Sequence, residues 1–147
     1  MIDASVLVAA AGSPTGGSAV AIDGLSDSPR HQAMVSLHIL DEAHRSTRRK
    51  LSPVALDRLL HMLRTLRPQV AQLSGTAPPD LPRSVAATDH HVIDCCLSAG
   101  ASICLTLDRR HLLTAEIRQW GLQRGLRFLT PGEYLAAERA QDEAGLE

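Results

Sequence analysis

Aromatic side chains are almost missing from this chain: Trp120, Phe128 and Tyr134 are the only three in 147 residues. That scarcity excludes the stacking platforms on which many single-strand RNA- and DNA-binding modules rest. It also leaves the core to Leu, Val, Ile and Ala. Excess positive charge is missing too. Fifteen basic against sixteen acidic residues give a net charge of −1, which excludes avid, sequence-blind binding to nucleic acid. Any nucleic-acid chemistry is therefore local and enzymatic. Cysteines are few and odd in number. Cys95, Cys96 and Cys104 sit in apolar surroundings and read as reduced, buried thiols. With His90, His91 or His111 they give no C-x-x-C or H-x-x-x-H spacing, so no zinc site is expected from them. There is no charged leader with an apolar h-region and no long apolar span, so a cytoplasmic protein without membrane association is expected. No Gly-Lys-Ser/Thr follows the glycine-rich stretch GSPTGG, which removes the P-loop.

What is present is enough for one domain. Hydrophobic residues make up 44% and charged residues 21%, a globular balance. The domain is read as residues 1–139, with a frayed tail over 140–147. MIDASVLVAA reads as a buried strand passing into a helix or loop, and residues 18–25 as a short helix. HQAMVS (31–36) reads as a strand, followed by a helix from His38 to Lys50. Ser52-Pro53 gives an N-cap with proline at the first helical position, opening a Leu-rich helix that Pro68 ends. SGTAPPDLPR (74–83) is a loop. A helix starts near Asp89, buries Val92, Ile93, Cys96 and Leu97, and stops at Gly100. SICLTL (102–107) reads as a strand, 111–121 as a helix capped by Gly121, and LRFL (126–129) as a last strand. Thr130-Pro131-Gly132-Glu133 is a capping box for a terminal helix. Apolar strands alternating with helices predict an α/β fold, a three-layer α/β/α arrangement with a central, mostly parallel sheet.

Four acids fall at element ends in that reading. Asp3 and Asp108 lie in or after strands, and Glu42 and Asp89 near helix starts. In a parallel α/β arrangement those ends share one edge. Convergent carboxylates raise one another's pKa unless a cation lies between them, and a hard ion such as Mg²⁺ or Mn²⁺ suits oxygen donors. Blander roles exist for three of them. Asp89 can cap its helix, Glu42 can pair with Arg45 or Arg49, and Asp108 can shape the turn before Arg109. Asp3 is hardest to dismiss, because a carboxylate in an apolar strand is costly alone. Asp94 lies about 140° around its helix from Asp89 and reads as a solvated residue. His31, His38, His44 and His61 read as bland surface histidines.

Several segments, in order, resemble the PIN-domain family, and within it the VapC-like toxin ribonucleases of toxin–antitoxin pairs. MIDASVLVAA resembles the opening motif, an Asp followed by small or hydroxyl residues. VSLHILDEAHRSTRRKL resembles the segment with a Ser-led strand end and a helix carrying Glu. DHHVIDCCLSAGASICLTLDRRHLL and RFLTPGEYL resemble the long C-terminal motif and the closing strand. The resemblance implies an Mg²⁺- or Mn²⁺-dependent ribonuclease acting on an RNA substrate, with a cognate antitoxin partner and a homodimer. It implies that Asp3 and Asp108 bind metal directly, that Glu42 and Asp89 complete the site directly or through waters, and that Ser5 and Thr106 orient water or a carboxylate. The basic run Arg45, Arg48, Arg49 and Lys50 reads as a solvated face or, since Arg45 and Arg49 share the face of Glu42, as a phosphate grip. The products in such relatives are a 5′-phosphate and a 3′-hydroxyl. The chain departs from the pattern at Leu107, where Gly is common, at His111, where an acid is common, at His90, and at Asp94, an extra acid. Two alternatives remain open: a catalytically degenerate PIN domain that only binds, and a DNA nuclease or phosphatase using the same acids.

Overall fold

The computed structural model describes residues 1–145. Seven α-helices make up most of the described chain: α1 (Ala4–Gly12), α2 (Gly17–Ser26), α3 (Leu37–Lys50), α4 (Pro53–Leu66), α5 (His90–Ser98), α6 (Ala115–Leu122) and α7 (Pro131–Ala144). The strands are β1 (Met34–Val35), β2 (Gln69–Val70), β3 (Ile103–Leu105) and β4 (Arg127–Leu129). They form two separate two-stranded parallel ladders, β1–β2 and β3–β4. The expected three-layer α/β/α fold with a central sheet is therefore corrected to a mostly helical chain with two small ladders. The physical reason lies in the caps. The run read as a strand over 31–36 stops at Val35, because Ser36 turns its side chain to accept from Ile39 N and starts α3. Asp3 likewise ends the opening segment after Ile2 by becoming the N-cap of α1.

That opening segment lies between the ladders. Ile2 N donates to Met34 O at 2.9 Å, and Ile2 makes an isolated parallel bridge to Leu105. Asp3 N donates to Leu105 O, and Leu105 N to Met1 O, both at 2.9 Å. Asp3 is thereby pinned beside the end of β3.

Local signals fixed several helix ends. Ser52 caps α4 by accepting from Ala55 N, and Thr130 and Glu133 complete both halves of the capping box on α7. α7 continues to Ala144, through most of the segment expected to fray, while residues 146 and 147 lie outside the described residues. Gly100 adopts φ +63, the left-handed stop expected after α5. Other expectations need correction. Gly121 lies inside α6, whose N-cap is Thr114, and does not cap it. β2 carries no strand pattern, and both its residues are exposed. Leu97 is exposed, not buried. The core holds all three aromatics and all three cysteines beside the aliphatic residues. No single described helix is long and apolar enough to cross a membrane.

Asp94 is buried rather than solvated, at 6% exposure. Its carboxylate accepts from Ser74 N, Ser74 Oγ, Gly75 N and Ser98 Oγ at 2.6–3.1 Å, tying the loop after β2 to α5. Burial pushes its pKa up, but the four donors outweigh this and hold it below the ordinary carboxylate value. Asp94→Ala should cost about 2 kcal/mol, read as a Tm roughly 6 °C lower at pH 7. A depressed folded pKa contributes stability above the unfolded value of about 3.9 and loses it as pH falls through the folded value. The Tm gap between variant and parent should therefore narrow in strong acid. Equal melting at pH 7 would show that the tether adds nothing.

Candidate functional site

Asp3 is 7% exposed, so its carboxylate needs partners inside the protein. Ser5 Oγ donates to Asp3 Oδ2 at 2.7 Å, and Thr106 Oγ1 donates to the same oxygen at 2.8 Å. Both hydroxyls are themselves fixed: Ser5 Oγ accepts from Leu107 N and Thr106 Oγ1 from Asp108 N, each at 3.1 Å. Among the described residues no hydrogen bond reaches Asp3 Oδ1. Ser5 and Thr106 thus clamp one oxygen of Asp3 and leave the other uncommitted. Thr106 also connects Asp3 to the backbone of Asp108.

Asp108 follows β3 and divides its oxygens between two tasks. Oδ1 accepts from Arg110 N at 2.9 Å and His111 N at 3.0 Å, the turn role open to any Asp there. Oδ2 faces His111 Nδ1 at 3.2 Å. Asp89 is the N-cap of α5 but makes no capping hydrogen bond. Its Oδ2 is shielded from solvent and 3.0 Å from the same His111 Nδ1, within ion-pair distance but not aligned for a hydrogen bond. Asp89, Asp108 and His111 bring one donor atom each to within 4.8 Å of one another. Two carboxylates, one of them with a buried oxygen that lacks an aligned donor, and an imidazole fit a divalent ion. His111, which is not among the sequence-predicted site residues, therefore sits between Asp89 and Asp108. Its i,i+3 spacing from Asp108 was the available signal.

Glu42 extends from the second turn of α3. It does not pair with Arg45, whose Nε is 2.8 Å from Asp41 instead. Glu42 Oε2 faces His91 Nε2 at 3.7 Å, too far for a hydrogen bond. Burial raises the Glu42 pKa above its ordinary value, and the charges of Asp3 and Asp89 raise it further, against His38 and Arg45. The Asp89 pKa is also raised, by burial first, then by Asp108 and Asp3, against His111. Glu42 thus lies within electrostatic reach of Asp3 and Asp89, and Asp89 within reach of Asp3 and Asp108, so like charges meet along this chain of acids. His91 shows the opposite effect of enclosure: burial and the neighbouring His38 lower its pKa, against the charge of Asp3.

Beside Glu42 runs an open groove of about 770 Å³. Glu42 and His38 form part of its wall, and Arg45, Arg48, Arg49 and Lys50 form much of the remainder. Arg45 and Arg49, read from sequence as a phosphate grip, both face it. The cysteines play no part. All three are buried and unpaired, and burial pushes the Cys95 thiol up to about 11. Comparison of the chain with protein-family models, curated proteins and solved structures returns no match.

Proposed function

We propose that this chain is a metal-dependent endoribonuclease that hydrolyses RNA phosphodiester bonds, of the kind found in PIN-domain toxins. One juxtaposition carries the reading: Glu42, which feels the charges of Asp3 and Asp89, also lines a groove walled by four cationic side chains. The motifs support the family, and the site rather than the layer architecture supports the activity.

Asp89, Asp108 and His111 would hold the ion, with Asp3 and Glu42 completing the negative surround. When bound, such an ion lowers the pKa of a water and offsets charge developing at phosphorus. The chain's own residues do the rest. Ser5 and Thr106 hold the Asp3 carboxylate in one orientation. The arginines of α3 position the phosphodiester backbone. Water oxygen bonds to phosphorus, the P–O3′ bond breaks, and the 3′ oxygen takes up a proton, leaving a 5′-phosphate and a 3′-hydroxyl. The imidazole of His111 favours Mn²⁺ over Mg²⁺, because nitrogen donors suit transition ions. The reading extends to a toxin with a cognate antitoxin and a homodimeric state. Exposed Leu37, Val54, Leu60, Val70 and Leu73 supply apolar surface for either contact.

The test sets RNA, single- and double-stranded DNA and a phosphomonoester side by side in Mn²⁺ and in Mg²⁺. RNA should be cut fastest, and faster in Mn²⁺, to 5′-phosphate products. Arg49 has no acidic partner among the described residues, whereas Arg45 is held by Asp41. Arg49→Ala should therefore weaken RNA binding more than Arg45→Ala, and reduce the salt slope of binding by about 1. Preferred cleavage of DNA or the monoester would replace the ribonuclease reading. No cleavage with intact RNA binding would favour a degenerate, binding-only domain. For the toxin role, unchanged growth on expression without the neighbouring gene's product would count against it.

A further inference from the structure

We propose that His38, Glu42 and His91 form a second cation site, one that takes a transition-metal ion of the Zn²⁺ class. It shares no ligand with the cluster around Asp89, Asp108 and His111, although Glu42 also belongs to the negative surround of that cluster. The inference concerns metal binding alone and stands whether or not the chain cleaves RNA.

The site is assembled from two helices. His38 and Glu42 are four residues apart on α3 and so share one face. His91 comes from the first turn of α5. The three residues bring one donor atom each to within 4.8 Å of one another. The rings of His38 and His91 stack with centroids 3.8 Å apart and an interplanar angle of 29°. Glu42 Oε2 stands 3.7 Å from His91 Nε2. That gap is too wide for a hydrogen bond, yet close to the ~3.4 Å spanned by two bonds of about 2.1 Å meeting at a tetrahedral ion. His91 Nδ1 is shielded from solvent and also lacks a partner. Neither nitrogen of this largely enclosed ring is committed to a hydrogen bond within the described protein. Two imidazoles and one carboxylate are a donor set that borderline ions prefer and that Mg²⁺ does not. Three protein donors leave a fourth position open towards the groove, which His38 and Glu42 line and through which an ion can enter. From the sequence, His38 and His91 lie more than fifty positions apart in no metal-binding spacing, so only the approach of the His91 side chain to His38 and Glu42 reveals them.

The experiment uses the full chain, stripped with EDTA, in an Asp89→Asn/Asp108→Asn background that disables the acid cluster. Zn²⁺ affinity is read by competition with a chromophoric chelator, and coordination by the visible absorption of Co²⁺. One equivalent of Zn²⁺ should bind, and Co²⁺ should give the intense bands of a low-coordinate site. His38→Gln and His91→Ala should each lower Zn²⁺ affinity at least tenfold. His38 is exposed, and melting curves without metal check that both variants stay folded. A background protein that binds no Zn²⁺ would overturn the proposal. So would a folded His38→Gln protein with unchanged affinity.

Discussion

Asp3→Asn should reduce RNA cleavage at least a hundredfold, a loss of about 3 kcal/mol of transition-state stabilisation, while leaving the protein folded. Asparagine keeps the shape of the side chain and an oxygen that can accept from Ser5 Oγ and Thr106 Oγ1, so the clamp at 2.7 and 2.8 Å survives. What it loses is the charge. That charge raises the pKa of Glu42, second only to burial, and contributes to the rise at Asp89. A carboxyl whose folded pKa is raised favours the protonated form, so the metal-free fold loses stability as pH rises through that pKa. Removing the Asp3 charge relieves part of that loss. In EDTA at pH 7 the variant should melt slightly higher than the parent, and Mn²⁺ should raise its Tm less. The measurements are single-turnover cleavage of a structured RNA in Mn²⁺ and melting curves in EDTA and in excess Mn²⁺. Undiminished cleavage would remove Asp3 from the mechanism. A lower Tm in EDTA would assign the buried carboxylate a structural role instead.

Gly121→Ala should be among the most damaging single-methyl additions in the chain. A Cβ at this position would stand 2.5 Å from Leu126 O and 2.8 Å from the Phe128 ring. The neighbour at 2.5 Å is backbone, so no side-chain rotation relieves it. Leu126 N donates to Gly121 O at 2.9 Å, which holds that strand of chain against the helix. Alanine gains about 1 kcal/mol of helix propensity over glycine, but the overlap exceeds this. A net loss of about 3 kcal/mol is expected, or a Tm roughly 10 °C lower. The disturbance should also reach the site. Phe128 lies in β4, next to Leu129, whose carbonyl accepts from Thr106 N at 3.0 Å. Thr106 in turn holds Asp3. Well below its Tm, the variant should therefore cleave RNA more slowly than its folded fraction accounts for. A Tm within 2 °C of the parent would mean that the 121–126 turn yields more easily than its hydrogen bonds suggest.

Features set by neighbours in the chain were legible before any coordinates. Ser52 with Pro53, Thr130 with Glu133, and Gly100 at φ +63 fix helix ends through contacts spanning three or four residues. The order of Asp3, Glu42, Asp89 and Asp108 along the chain was equally plain, as was the basic run on α3. Contacts between distant segments decided the rest. The strands are short because Ser36 and Asp3 start helices directly after Val35 and Ile2, and a strand's extent depends on pairing with remote backbone rather than on its own apolar run. Asp94 reads from the sequence as a solvated helix residue, but the loop at Ser74 and Gly75 folds over its side chain and encloses it. His111 gains its place from Asp89, twenty-two positions earlier, and His91 from α3. A sequence determines which side chains share a helix face, because that geometry repeats every few residues. Which other segment covers that face depends on how the helices pack, and that packing alone turned separate acids and histidines into a site.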